Sequence, residues 1–205
     1  MKKCIAVIMT GILMINFAAC GKSEKYGAYK EIYKRYNHMD SYYAEAEITS
    51  RNDRSENVYH VRQFYKAPDM YSTVVDSPEE IAGSGYVFKN SEVKIKSGFG
   101  KNEILGAYSP NEHSSTCVAD FFAEYYKSEE TMVAVAGGVA GNATTVMNCQ
   151  LSGKNVNLFS QSLWIDNKTF LPIKLETYDV NNNVVVTVKY NEFKLNCDLD
   201  DAFFE

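Results

Sequence analysis

The sequence predicts an α+β fold, an antiparallel sheet in meander order with helices packed on one face. Three observations lead there. Apolar and polar residues alternate with period two in run after run, and short turn segments join the runs. Two other segments carry aromatic residues at helical spacing. No strand–helix–strand alternation of the kind that builds a parallel sheet is present. The composition is that of a globular chain: 205 residues, 45% apolar and 23% charged, with 15 Tyr and 11 Phe against one Trp. A net charge of −5 argues against a nucleic-acid ligand, which needs a basic face.

Taken in order, the first element is an address. Lys2 and Lys3 precede an uncharged, mostly apolar run from Cys4 to Ala19, too short for a spanning helix, which needs about 20 residues. It ends in Phe17-Ala18-Ala19-Cys20, small residues before a cysteine. That run resembles the lipobox of a bacterial lipoprotein signal, although leucine is usual where Phe17 stands. The resemblance implies cleavage before Cys20 and diacylation of that cysteine. Residues 1–19 are then a signal peptide, residues 20–25 a lipid-anchored tether, and residues 26–205 one domain. Loss of Lys2 and Lys3 takes the net charge from −5 to about −7. Lys22, Lys25, Lys30, Lys34 and Arg35 leave a basic stretch beside the anchor, which suits an anionic membrane surface or simply a solvated helix face.

Tyr26 to Met39 is the first predicted helix, with Tyr26, Tyr29, Tyr33 and Tyr36 on one stripe. Strands follow: Ala44, Ala46 and Ile48 alternate with Tyr43, Glu45, Glu47 and Thr49, and Tyr59, Val61, Gln63 and Tyr65 share the next face, ended by Pro68. Met70–Val75, Gly85–Lys89 and Glu92–Lys96 continue the meander, with Asn90-Ser91 as a tight turn. A second helix is expected from Thr116 to Lys127, capped by Ser115 or Thr116, with Phe121, Phe122, Tyr125 and Tyr126 as a broad aromatic face. Both aromatic sets are candidates for a cavity lining or lid, or for packing alone. Met132–Ala136 and Ala143–Met147 are strands of a hairpin. Leu163–Asp166 is a short strand followed by an Asn167-Lys168 turn. Leu171, Ile173, Leu175 and Thr177 form one face of the next strand, Asn181-Asn182-Asn183 a turn, and Val184–Leu195 a long central strand. Phe203 and Phe204 fold back onto the sheet.

Motifs for chemistry are absent from the sequence. His38, His60 and His113 have no metal-ligand spacing, Gly137, Gly138 and Gly141 are not followed by Gly-Lys-Ser/Thr, and Gly83-Ser84-Gly85 is not a nucleophile elbow. Asp198, Asp200 and Asp201 lack the glycine and distal glutamate of a calcium loop. Cys117, Cys149 and Cys197 are an odd set without CxxC spacing, so buried free thiols are the default, with a Cys117–Cys149 pair as the alternative that sequence leaves open. The expectation is no catalytic residue, no cofactor and no metal.

The segment Ser162 to Asp179, SLWIDNKTFLPIKLETYD, is similar to a hairpin signature of the LolA/LolB/RseB lipoprotein-carrier-like superfamily. Trp164, Asp166 and Pro172 fall on its motif positions, and Tyr190 and Phe193 continue it, although the family usually has a glycine where Asn181-Asn182-Asn183 stands. The resemblance implies a strongly curved antiparallel sheet, a half-open barrel, with two or three helices on its concave side. Within the superfamily, size and anchoring resemble the spore-germination lipoproteins. That implies a non-catalytic protein, exported and anchored on the extracytoplasmic face of a membrane such as the forespore's, whose partner is a cell-wall amidase of the CwlD type. The alternative is a lipid or lipoprotein carrier holding acyl chains in the half-barrel. Exposed strand edges also allow a homodimer by edge-strand or helix exchange.

Overall fold

The computed structural model describes residues 27–52, 54–98, 103–107, 116–137, 143–152 and 155–205. They form an antiparallel sheet of eleven strands in the order β6-β5-β4-β3-β2-β1-β11-β10-β9-β8-β7. The strands are β1 Ser41–Asn52, β2 Ser55–Lys66, β3 Met70–Ser77, β4 Gly85–Lys89, β5 Glu92–Lys96, β6 Glu103–Ala107, β7 Thr131–Gly137, β8 Ala143–Gln150, β9 Ser160–Asp166, β10 Pro172–Tyr178 and β11 Val184–Leu195. Two meanders, β1–β6 and β7–β11, are joined at the centre by the pairing of β1 with β11. The sheet is open, with β6 and β7 as its two edges. Helix α1 spans 27–36 and helix α2 spans Val118–Lys127; both contribute to the core on one face, the inner face.

Two transverse ladders account for that core. Across β1 to β5, Tyr42, Tyr65, Tyr71, Phe88 and Val93 stand opposite one another in turn. Successive ring centroids in this ladder lie 5.6, 5.0 and 5.9 Å apart, the spacing of offset and tilted aromatic pairs. Across the other half, Ile48, Val188, Leu175, Leu163, Met147 and Val133 line up from β1 to β7. Val188, Leu175 and Leu163 are fully buried, each contributing roughly 1.5–3 kcal/mol of transfer free energy. The outer face is mostly polar. Its apolar cluster joins Phe64, Val87 and Phe204, where the C-terminal 3-10 turn Asp201–Phe204 folds back and Phe203 stacks on Phe64 at 4.3 Å.

Turn chemistry sets the register. Asn90 and Ser91 have φ of 55° and 63°, the left-handed pair that a two-residue hairpin between β4 and β5 requires. Asn182 has φ 63°, and Asp179 accepts from the backbone N–H of Asn181 and Asn183. Gly85 has no room for a side chain, because a Cβ would run into the Thr73 carbonyl across the strand pair.

Several expectations change. Helix α1 ends at Tyr36, with Asn37-His38 as a turn, three residues short of Met39. Helix α2 begins at Val118 with Cys117 at the cap and no side-chain cap bond, so Thr116 does not cap it; Ser115 lies outside the described residues. The face Leu171–Ile173–Leu175–Thr177 is not continuous. A β-bulge at Ile173 puts Pro172 opposite Ile165 and Lys174 opposite Trp164, so Pro172 joins Leu175 on the buried side. Strand β9 starts at Ser160 rather than Leu163, and β6 is a strand that alternation did not reveal.

Candidate functional site

The layer between the helices and the sheet begins with aromatic stacking. Tyr36 stacks on Phe122 at 4.5 Å and 15°, and Phe122 meets Phe121 edge-on at 5.5 Å. Phe121, Phe122, Tyr125, Tyr36 and Ile32 are buried, so the helices fill the inner face with their own side chains. Tyr29 is half-buried and packs against this core. Tyr33 and Tyr126 are different: they form an edge-on pair at 5.6 Å, yet remain 44% and 40% exposed. The broad face expected on α2 thus narrows to Phe121, Phe122 and Tyr125, while Tyr126 stays part-exposed beside Tyr33. Tyr26 lies outside the described residues.

Below the N-terminus of α2 the inner face becomes polar. Gln63, Thr73 and Tyr86 occupy adjacent positions on β2, β3 and β4. Gln63 Nε2 and the Tyr190 hydroxyl both donate to the Thr116 carbonyl, at 3.1 and 3.3 Å, and the Tyr86 hydroxyl lies 3.6 Å from Cys117 Sγ. Gln63 Oε1 and Thr73 Oγ1 are buried with no hydrogen-bond partner among the described residues. Asp120, in the first turn of α2 and only 5% exposed, enters this cluster with Tyr71 hydrogen-bonded to it. Burial pushes its carboxyl up to about 7 against the Tyr71 bond, and the nearby Glu124 adds to the rise. Tyr42, Tyr190 and Tyr71 are likewise held protonated, chiefly by burial. The cluster joins neutral tyrosine, glutamine and threonine groups to one carboxyl, Asp120, that changes charge near pH 7. Sequence reasoning missed it, although Asp120 and Glu124 at i, i+4 on an otherwise aromatic helix face were the available signal.

The motif residues are architectural. Asp166 Oδ1 accepts from the backbone of Lys168 and Thr169 at 2.8 and 2.7 Å, closing the β9–β10 turn, and Phe170 takes φ 59°. That conformation offers two carbonyls to α1: Tyr36 donates to Phe170 O at 2.9 Å and Arg35 to Thr169 O at 3.3 Å. Trp164 is half-buried on the outer face under Lys174 Nζ, 3.8 Å from its ring. Phe193 stacks on Tyr42 at 5.0 Å and meets Tyr190 edge-on at 5.6 Å. Cys117 and Cys149 are buried free thiols, and Cys197 is a half-exposed one.

One edge of the sheet is distinctive. Strand β7 pairs with β8 alone among the described residues. Thr131–Gly137, TMVAVAG, carries no charge and no proline, and Met132 and Val135 are 69% and 43% exposed. Edge strands usually carry such blocking residues.

The chain matches the model of the sporulation protein YdcC-like family over residues 1–204. It belongs to that family. No curated protein matches it in sequence. Among solved structures, the YdcC-like chain is similar to the GerS lipoprotein of Clostridioides difficile, determined in complex with the CwlD amidase. Identity is 25%, covering 81% of this chain and 92% of that one, with a TM-score of 0.51. It is also similar to an uncharacterized conserved protein from Thermus thermophilus, at 15% identity over 85% and 91% of the two chains and a TM-score of 0.55. A LolA superfamily protein from Nitrosomonas europaea matches at 15% identity over 86% and 96%, with a TM-score of 0.46.

Proposed function

We propose that this YdcC-like protein is a non-catalytic lipoprotein, anchored through Cys20 on the extracytoplasmic face of a membrane of the developing spore, that binds and activates a cell-wall amidase. The observation that carries this reading is the likeness over most of both chains to GerS, whose structure holds the CwlD amidase. Membership of a sporulation family supports it. On this reading residues 1–19 are removed as a signal peptide, residues 20–25 are the tether, and the sheet curves as a half-open barrel around α1 and α2. Helix side chains that fill the inner face support protein binding over acyl-chain carriage. The uncharged edge β7 supports strand addition as the mode of partner binding, to an amidase or to a second copy of the chain.

The test is co-purification with an amidase of the CwlD type, comparing the wild-type chain with Met132→Lys/Val135→Lys. Both positions are exposed, so the double variant keeps its fold and loses the amidase. Failure of the wild-type chain to capture any such amidase would refute the partner reading. Acyl lipid in the mass spectrum of the purified protein would favour the carrier instead. The anchor has its own measurement: Cys20→Ser abolishes membrane retention, and unchanged fractionation would refute lipidation.

A further inference from the structure

The outward side of the helix layer has no place in the partner reading. Along α1, Lys30, Tyr33 and Lys34 are exposed, while Ile32 and Tyr36 face the sheet. From α2, Tyr126 and Lys127 join them, with Tyr126 against Tyr33. Of the four acidic groups nearby, one is paired with a cation and one is buried, and the two that stay exposed lie past the end of α2. Glu31 is held by Arg35 at 2.9 Å, Glu124 is buried and accepts from the Ser152 N–H, and Glu130, past the end of α2, accepts from Gln150. Glu129 is exposed in the segment leading to β7. A chain with a net charge of −5 therefore presents a small patch of three lysines around two exposed tyrosines.

We propose that this patch is a docking surface for an anionic lipid bilayer, and that it sets the orientation of the anchored domain. The inference rests on anchoring at Cys20 for its setting. Two features point to a lipid surface. The first is where the chain goes: six residues separate Cys20 from Gly27, the first described residue of α1, a reach of at most about 25 Å over seven fully extended Cα steps. A tether this short keeps α1 close to the headgroups. The second is charge and chemistry: lysines attract anionic headgroups, and tyrosine rings settle at the level where an apolar body and a wet hydroxyl are both satisfied. Docking there turns the outer face of the sheet away from the bilayer.

Every described element lies within 27–205, so the mature chain from residue 20 carrying Cys20→Ser keeps those elements and removes the acyl anchor from the measurement. That chain is co-sedimented with vesicles of equal parts phosphatidylglycerol and phosphatidylcholine and with pure phosphatidylcholine. Binding to the anionic vesicles that falls with added salt is expected. Lys30→Gln/Lys34→Gln lowers that affinity roughly 30-fold, at about 1 kcal/mol per lysine near an anionic surface. Tyr33→Ser/Tyr126→Ser lowers it at unchanged salt dependence. The emission of Trp164, on the outer face, checks that each variant is folded. Equal binding to both vesicle types, or wild-type binding by the lysine variant, would overturn the proposal. So would loss of amidase capture in the lysine variant with vesicle binding intact, which would assign the patch to a protein partner. Failure of Cys20→Ser to alter fractionation in cells refutes the anchor and leaves the vesicle result standing on its own.

Discussion

Asp120→Asn should stabilise this protein at alkaline pH and do little at acid pH. The carboxyl moves from an ordinary 3.8 to about 7 on folding because it is buried under α2 among tyrosines. The folded state therefore holds the proton more tightly than the unfolded chain. Stability from this group is complete below about pH 4, falls as pH rises from there to about 7, and is gone above that. Each unit is worth about 1.4 kcal/mol, so roughly 4 kcal/mol separates pH 8 from pH 4. Asparagine keeps an acceptor for the Tyr71 hydroxyl and carries no charge to bury. It forgoes the attraction between a carboxylate and the first turn of α2, about 0.3–1 kcal/mol. The variant is then expected to exceed the wild type by about 3 kcal/mol at pH 8 and to lie within about 1 kcal/mol of it at pH 4.5. Urea unfolding followed by Trp164 emission at the two pH values measures both differences, and groups common to the two proteins cancel. A variant no more stable than the wild type at pH 8, or a gap that does not shrink toward pH 4.5, would refute the buried-carboxyl argument.

Three further predictions follow from the core, the helix latch and a turn. Phe121→Ala removes a fully buried ring between α2 and the sheet and should cost about 3–5 kcal/mol, read as a lower urea midpoint at unchanged slope. Arg35→Ala and Tyr36→Phe each remove one bond to the β9–β10 turn and should cost about 1 kcal/mol. In hydrogen exchange the loss should be concentrated in α1, and uniform deprotection of the sheet would contradict the latch. Asn90→Val places a β-branched residue at φ 55° and should cost roughly 1–2 kcal/mol, while Asn90→Gly should be nearly neutral; equal costs in thermal unfolding would show that backbone strain at the β4–β5 turn is not the cause.

Period-two alternation made β1, β2, β4, β5 and β11 legible, since each is long enough or regular enough to show its buried face locally. Turn residues marked Asn90-Ser91 and Asn182, where side-chain chemistry tolerates positive φ. The aromatic stripes announced both helices. The bulge at Ile173 was not legible, because it depends on how β10 meets β9, and Leu171, Ile173 and Leu175 alternate without a break. β6 was missed because Glu103–Ala107 carries little alternation and is a strand through its pairing with β5.

By itself, the sequence determined the fold class, the antiparallel runs of neighbouring strands and the approximate helix positions, but not the pairing of β1 with β11 that joins the two meanders. The features it determined are written in spacing between neighbours along the chain. Only the tertiary structure decided which polar residues are buried, which tyrosines stay outside and which strand is an unblocked edge. Asp120 is an ordinary helix residue until Tyr71 arrives from β3, and Tyr126 belongs to an aromatic face until folding leaves it 40% exposed beside Tyr33. These outcomes depend on contacts between residues far apart in sequence, and desolvation acts on a side chain only once those contacts have closed around it.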